Sequence, residues 1–255
     1  MDDPLIWHCC RQRAGPLVKE CRALRPRFRP DDSTLDHRAK AELKRYQRNA
    51  VNRKQVDRLE LRLALFYGDG VHYTLTYGNT TLPADFAGVR RSLRAFFGRV
   101  GRWRDGAPLD YIYCIEGLHG DHRYHIHFVA PYSALSPTEV SYLWRNGDVD
   151  DEPVLRTHTY MDPATGGSVE VSDGGYRRLA EYFNKERTDG IIIPIGRHPW
   201  SCSRSLAAKL PPPEKWMDST NQIIIPDNAI WSRRGGMEND FGAYYYGSWI
   251  EREVK

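Results

Sequence analysis

The chain has 255 residues, 40% of them apolar, with seven Trp and a formal net charge of +4, enough for one substantial domain with appendages or two small ones. No run approaches the ~18 consecutive apolar residues of a membrane span, and the acidic opening Met1-Asp2-Asp3-Pro4 is unlike a secretory signal, so no membrane association is expected. Five scattered cysteines (Cys9, Cys10, Cys21, Cys114, Cys202) read as the reduced thiols of a cytoplasmic protein.

The charge is unevenly spread. Residues 1–66 carry 16 Lys and Arg against 9 Asp and Glu, a net +7, whereas the other 189 residues sit at −3. A basic section of this kind suits a polyanion such as nucleic acid, or is a solvated helix. Residues 1–31, with Pro16, Pro26 and Pro30 among arginines, read as irregular. His8-Cys9-Cys10 with Cys21 hints at zinc but lacks a paired C-x-x-C. From Ser33 a long helix is predicted, capped by Ser33 or Thr34. Its apolar positions are Ala39, Leu43, Tyr46, Val51, Val56, Leu59, Leu63 and Phe66, and Gly68-Asp69-Gly70 ends it.

Val71 to Tyr77 alternates in β-branched and aromatic residues and predicts a strand. After a loop over 79–83, Asp85 starts an amphipathic helix with Phe86, Val89, Leu93, Phe96, Phe97 and Val100 on its apolar side. Tyr111–Glu116 and Arg123–Ala130 form a hairpin about the turn Gly117–His122. Ser136-Pro137 opens a helix that runs to Trp144, 148–172 is strand or loop about Gly166-Gly167, and Tyr176–Glu186 is a helix. This order predicts an α+β fold across 67–200, a ferredoxin-like antiparallel sheet with helices on one face. A basic helical extension (1–66) precedes it, and a tail (201–255) packs on it or extends it. The tail's aromatic stretch from Tyr244 to Trp249 suits a terminal strand. No G-x-x-x-x-G-K-[ST] loop occurs, which argues against a fused P-loop ATPase.

The segment Arg123-Tyr-His-Ile-His-Phe-Val129 carries the chemistry. Strand side chains alternate, so His125 and His127 share one face while Tyr124, Ile126 and Phe128 take the other. The hairpin brings Glu116 close to that pair, with His119 and His122 of the turn as competing third ligands. Two imidazoles and a carboxylate accept Mg2+ or Mn2+. Downstream, Tyr182-Phe-Asn-Lys185 offers a nucleophile. A phenol with a pKa near ~10 is a poor one at neutral pH. Lys185, three residues on, shares its helical face and is expected to favour phenolate. Tyr176, six residues earlier, lies about 240° away around the helix. Read singly, the same residues are a His-containing strand without a ligand, a core tyrosine and a surface lysine.

Three motifs in order, the strand Tyr73-Thr-Leu-Thr-Tyr77, the pair His125-Ile126-His127 and the helix Tyr182-x-x-Lys185, make residues 67–200 resemble the HUH endonuclease family, in particular the rolling-circle replication initiators of bacterial plasmids and phages. The resemblance implies a nickase that attacks a DNA phosphodiester with Tyr182, leaves a 5′-phosphotyrosine and a free 3′-hydroxyl, and later rejoins the strand. It implies His125, His127 and Glu116 as ligands of a divalent metal acting as Lewis acid and template. Thr74 and Thr76 would buttress the metal-bearing strands. The partners implied are single-stranded DNA, replication-origin DNA and, without a motor in the chain, a host helicase. Arg187, Arg197 and Arg204 would touch the DNA backbone, Trp200 would stack bases, and Lys44, Arg45 and Arg48 would add phosphate contacts. One well-placed tyrosine stands where some phage initiators have two. A single-tyrosine transposase or a relaxase-like nickase would use the same site, although relaxases usually place the tyrosine before the His pair. A histidine-triad hydrolase needs a third His where Val129 stands. Outside enzymology, the alternative is a basic DNA-binding or packaging protein.

Overall fold

The computed structural model describes residues 6–24, 36–117, 123–154, 158–161, 168–171, 176–185, 200–239 and 242–251. In chain order the elements are β1 (Trp7–Ala14), β2 (Leu17–Ala23), α1 (His37–Ala64), β3 (Gly70–Leu75), α2 (Phe86–Trp103), β4 (Ile112–Glu116), β5 (His125–Pro131), α3 (Pro137–Leu143) and β6 (Val149–Pro153). They continue with β7 (His158–Met161), β8 (Ser168–Val171), α4 (Arg177–Phe183), β9 (Trp200–Cys202), α5 (Arg204–Lys209), β10 (Glu214–Asp218), β11 (Ala229–Asn239) and β12 (Gly242–Glu251). The class is α+β, with two five-stranded antiparallel sheets in place of the single sheet expected. The chain divides into two compact units, one of residues 1–64, 156–177 and 210–255, the other of 65–155 and 178–209.

The first unit overturns the reading of its N-terminus as irregular. Its sheet runs β10-β1-β2-β12-β11, so the section before the long helix and the tail meet in one sheet. Gly15, at φ 52, turns β1 back into β2. The described arginines of this segment, Arg11, Arg13 and Arg22, are each held in an ion pair. Glu20, its side chain fully buried, accepts from Arg11 at 2.6 Å and from Arg22 at 3.0 Å, and Arg22 reaches Asp218 at 2.6 Å. Lys19 pairs with Asp57 of α1 at 2.7 Å. Part of the +7 is thereby neutralised within the molecule. Cys10 and Cys21 are opposed across β1 and β2 and hydrogen-bond to each other, whereas Cys9 points to the other face of β1. Among the described residues no three of the groups that hinted at zinc gather, and all five cysteines are free. On the outer strands, the rings of Tyr246 and Tyr245 lie over Gly235 and Gly236, where any Cβ would collide with them. The tail thus supplies three strands where the sequence suggested one.

Helix α1 begins at His37, with Asp36 accepting from the Ala39 amide at 2.7 Å. Ser33 and Thr34, expected as its caps, lie outside the described residues. Its first turns are mostly exposed, and Val56, Leu59 and Leu63 bury its second half.

In the second unit the sheet runs β6-β3-β5-β4-β9. Alternation along β3 and β5 sends Tyr73, Leu75, Ile126, Phe128 and Ala130 to one face, where α2 (Val89, Leu93, Phe96, Val100) and α3 (Val140, Leu143) cover them. Phe128 sits at the centre, edge-on to Phe96 at 5.7 Å and stacked on Tyr73 at 5.7 Å. Each such side chain contributes roughly 1.5–3 kcal/mol by burial. Both helix starts are where the sequence puts them. Asp85 caps α2 through the Gly88 amide, and Ser136 with Glu139 closes a capping box on α3, a device worth about 1 kcal/mol. The opposite, more polar face mixes the apolar Ile112 and Val129 with a group of polar side chains, and α4 lies over it, so helices occupy both faces and not one.

Candidate active site

Strand register decides what shares the polar face. Directly opposed residues of antiparallel strands point the same way. His127 pairs with Thr74 of β3 and Cys114 of β4, His125 with Glu116, and His72 lies two residues before Thr74. Glu152 of β6 pairs with His72. The polar face therefore gathers His72, Thr74, Glu116, His125, His127 and Glu152.

Onto this face α4 lowers Tyr182. Its hydroxyl donates to Glu116 Oε2 at 2.8 Å and lies 3.1 Å from His127 Nε2, while His127 Nε2 and Glu116 Oε2 stand 2.8 Å apart. Lys185 Nζ ion-pairs with Glu116 Oε1 and sits 4.1 Å from the Tyr182 ring centroid. Phe183, on the inner side of α4, packs edge-on to His72 at 5.6 Å and anchors the helix. Tyr182 is 37% exposed and reachable from solvent, whereas Tyr176 is buried at 1%. Of the two tyrosines, only Tyr182 presents its side chain to solvent.

The electrostatics differ from the expectation in one respect. Burial pushes the Glu116 carboxyl up, but hydrogen bonds from Lys185, His127 and Tyr182 outweigh it and bring it down to about 2. Burial, then the hydrogen bond to Glu116 and its charge, raise Tyr182 to about 12, with Lys185 opposing. Lys185 is engaged with Glu116, so its help to the phenol does not prevail. The phenol is protonated at neutral pH, and its proton needs an acceptor.

A second layer supplies a candidate. His72 Nε2 lies 3.1 Å from His127 Nδ1, and His72 Nδ1 lies 2.8 Å from Glu152 Oε1, with Thr74 Oγ1 3.4 Å from His127 Nδ1. Burial lowers both imidazoles, His127 to about 4, so both are neutral at pH 7. The row Glu152–His72–His127–Glu116 has three gaps to bridge, and two neutral rings bring two protons. Two placements bridge the two rings to each other. In one, His127 donates from Nε2 to Glu116, and a lone pair on His72 faces Glu152. In the other, His72 donates to Glu152 and His127 donates from Nδ1 to His72, which turns the His127 Nε2 lone pair toward Tyr182 and Glu116. Only the second makes His127 an acceptor or a ligand; it requires His72 to donate to Glu152 and leaves Glu116 to Lys185 and Tyr182. Sequence reading missed both residues. The signal was available, since His72 continues the polar alternation of Thr74 and Thr76.

The expected metal set is assembled in part. Glu116 Oε2 and His127 Nε2, 2.8 Å apart, are near the ~3 Å between adjacent ligands of an octahedral ion with bonds of about 2.1 Å. His125 is on the same face opposite Glu116 but makes no described contact with the pair. Among the described residues no group of three or more His, Cys, Asp or Glu side chains is arranged to hold a metal ion. His119 and His122 lie outside the described residues, as do Arg187 and Arg197. Trp200 is buried at 9% exposure beside Cys114, which corrects its reading as an open stacking platform. Arg204 is exposed at the start of α5, and Lys44, Arg45 and Arg48 are exposed on α1.

The low folded value of His127 has a measurable consequence. Unfolded imidazole titrates near ~6.5. Between about 6.5 and 4 the unfolded chain binds a proton that folded His127 refuses, so stability falls as pH drops through that window. Glu116, at about 2 when folded, extends the fall below the ordinary carboxylate range. Thermal melts in chelator should give a lower midpoint at pH 5 than at pH 7, and His127→Gln should flatten the difference. An equal slope in the variant would mean that His127 is not buried neutral.

Comparison of the chain with protein-family profiles, with curated proteins and with solved structures finds no match.

Proposed function

We propose that the chain is a rolling-circle replication initiator of the HUH type, a metal-dependent enzyme that nicks and rejoins single-stranded origin DNA through Tyr182. The observation that carries this reading is the Tyr182 hydroxyl, 2.8 Å from Glu116 and 3.1 Å from His127 at the end of the H-x-H strand. The element order strand, α2, strand, strand, α3, strand from 70 to 153, with sheet order β6-β3-β5-β4, supports a ferredoxin-like core of two interleaved βαβ units.

In the proposed reaction the Tyr182 oxygen bonds to phosphorus and the bond from phosphorus to O3′ breaks. The phenol proton passes to His127 Nε2 or Glu116, and the departing 3′ oxygen is protonated to a hydroxyl. Rejoining reverses these steps. Lys185 steadies Glu116 and the approaching phosphate. Glu116 and His127, with His125 from the same face, would hold Mg2+ or Mn2+, which supplies charge stabilisation at a non-bridging phosphate oxygen. A test uses a pool of 3′-end-labelled single-stranded oligonucleotides with Mn2+. Label that migrates with denatured protein is the expected result, because the 5′-phosphotyrosyl fragment keeps the labelled end. Absence of such an adduct with every divalent metal tried would overturn the reading.

Helix α1 is assigned affinity and no chemistry. Lys44→Glu, Arg45→Glu and Arg48→Glu together should lower the log–log salt slope of DNA binding by about 0.7–0.9 per lost phosphate contact. An unchanged slope would mean that α1 faces protein or solvent.

A further inference from the structure

The second unit holds 14 Lys and Arg and 14 Asp and Glu, so it has no net charge from which to attract a polyanion. Its basic residues are nonetheless concentrated. Between Phe86 and Arg104 there are six arginines and no acid, while acids gather at Asp148, Asp150, Asp151 and Glu152. At 100° per residue, Arg90, Arg94, Arg91 and Arg102 fall within about 120° of α2, on the side away from Leu93, Phe96 and Val100. All four are exposed, and among the described residues no ion pair holds any of them. The residues between them on this arc, Ala87, Gly98 and Gly101, are too short to screen the guanidinium groups.

We infer that this face of α2 is a docking surface for the phosphate backbone of DNA, separate from the cleavage site. Resting on the reading of the chain as a DNA-processing enzyme, the inference concerns a different part of the molecule. The covered side of α2 packs on the apolar face of the sheet, whereas Tyr182, Glu116 and His127 occupy the polar face. DNA held on α2 is therefore held on the far side of the sheet from the nucleophile. Arg90 to Arg102 spans ~18 Å along the helix axis, the length of roughly five nucleotide steps at 3.4 Å each. Guanidinium groups meet phosphates in bidentate fashion without reading bases, so the surface binds without regard to sequence. Its role is to hold flanking DNA while the cleavable segment is at Tyr182.

The experiment compares the whole protein with the triple variants Arg90→Gln/Arg94→Gln/Arg102→Gln and Arg90→Lys/Arg94→Lys/Arg102→Lys. Binding of fluorescent single-stranded and duplex oligonucleotides of arbitrary sequence is titrated over a range of salt, and adduct formation is followed separately at saturating DNA. The Gln variant should lose about 2–3 from the log–log salt slope, toward 0.9 per contact on duplex and 0.7 on a single strand. The Lys variant should keep the slope, and both should form adduct as the parent does. An unchanged slope in the Gln variant, on both probes, overturns the inference and leaves the nuclease reading standing. A lost slope in a protein that never forms adduct upholds the surface and removes the nuclease. A Gln variant that loses adduct at saturating DNA would place the surface within the cleavage machinery and overturn its separateness.

Discussion

Tyr182→Phe is expected to abolish the protein–DNA adduct and to lower strand cleavage by at least ~10⁴-fold, since the variant keeps the ring and loses the oxygen proposed to bond to phosphorus. The hydroxyl makes one hydrogen bond to a carboxylate that Lys185 and His127 also satisfy, so stability should change by no more than about 1 kcal/mol. DNA affinity should persist. Tyr176→Phe is the control, because its ring is buried and cannot reach a substrate phosphate. Mass spectrometry of the trapped peptide would locate the nucleotide. Finding it on another tyrosine would replace Tyr182 and keep the chemistry, whereas a Tyr182→Phe protein with full adduct would remove the site.

Glu116→Gln should have the second largest effect, a loss of roughly 10²–10⁴-fold in cleavage. The amide keeps the shape but carries no charge for Lys185, accepts the phenol proton less readily and is a weaker metal ligand. The histidines are expected to differ from one another. His125 is half-buried and makes no described contact, so His125→Ala should leave the fold intact and lose metal affinity if His125 is a ligand. His127 is buried at 5% exposure with partners at both ring nitrogens, and His127→Ala should also cost about 1–3 kcal/mol of stability by taking one hydrogen-bond partner from each of the buried groups His72 and Glu116. Manganese titration followed by spin resonance, alongside melts, separates the two losses. Unaltered manganese binding in Glu116→Gln would exclude Glu116 as a ligand.

What the sequence disclosed, and what it hid, follows from the range of the signals. Asp85 and Ser136 announced their helices because a cap and its amide lie three residues apart. The face shared by His125 and His127 was legible because strand alternation is local. The hairpin that brings Glu116 beside them was legible for the same reason. Hidden were relations between distant segments. Nothing near Arg11 or Arg22 indicates that Asp218 closes their network, so the charges read as free and the segment as irregular. Nothing near His127 indicates that His72, from a strand 55 residues earlier, will hold its other nitrogen. The direction of the Tyr182 shift was hidden likewise, because spacing shows Lys185 beside the phenol but not that Glu116 takes its charge.

The placement of β12 between β2 and β11 has a consequence for the nascent chain. β1 and β2 leave the ribosome before β12, which is made only after the sheet holding Glu116 and His127 has all its strands. Through that interval β2 offers a row of unsatisfied amides and carbonyls, the kind of edge onto which another nascent chain can add. Arg11, Arg13, Lys19 and Arg22 line this waiting hairpin, and Asp218 and Glu251, which pair with Arg22 and Arg13, have yet to be made. Even with Glu20 between Arg11 and Arg22, the hairpin keeps an excess of positive charge until Asp218 and Glu251 close the folded sheet, and like charge opposes its pairing with a second copy of itself.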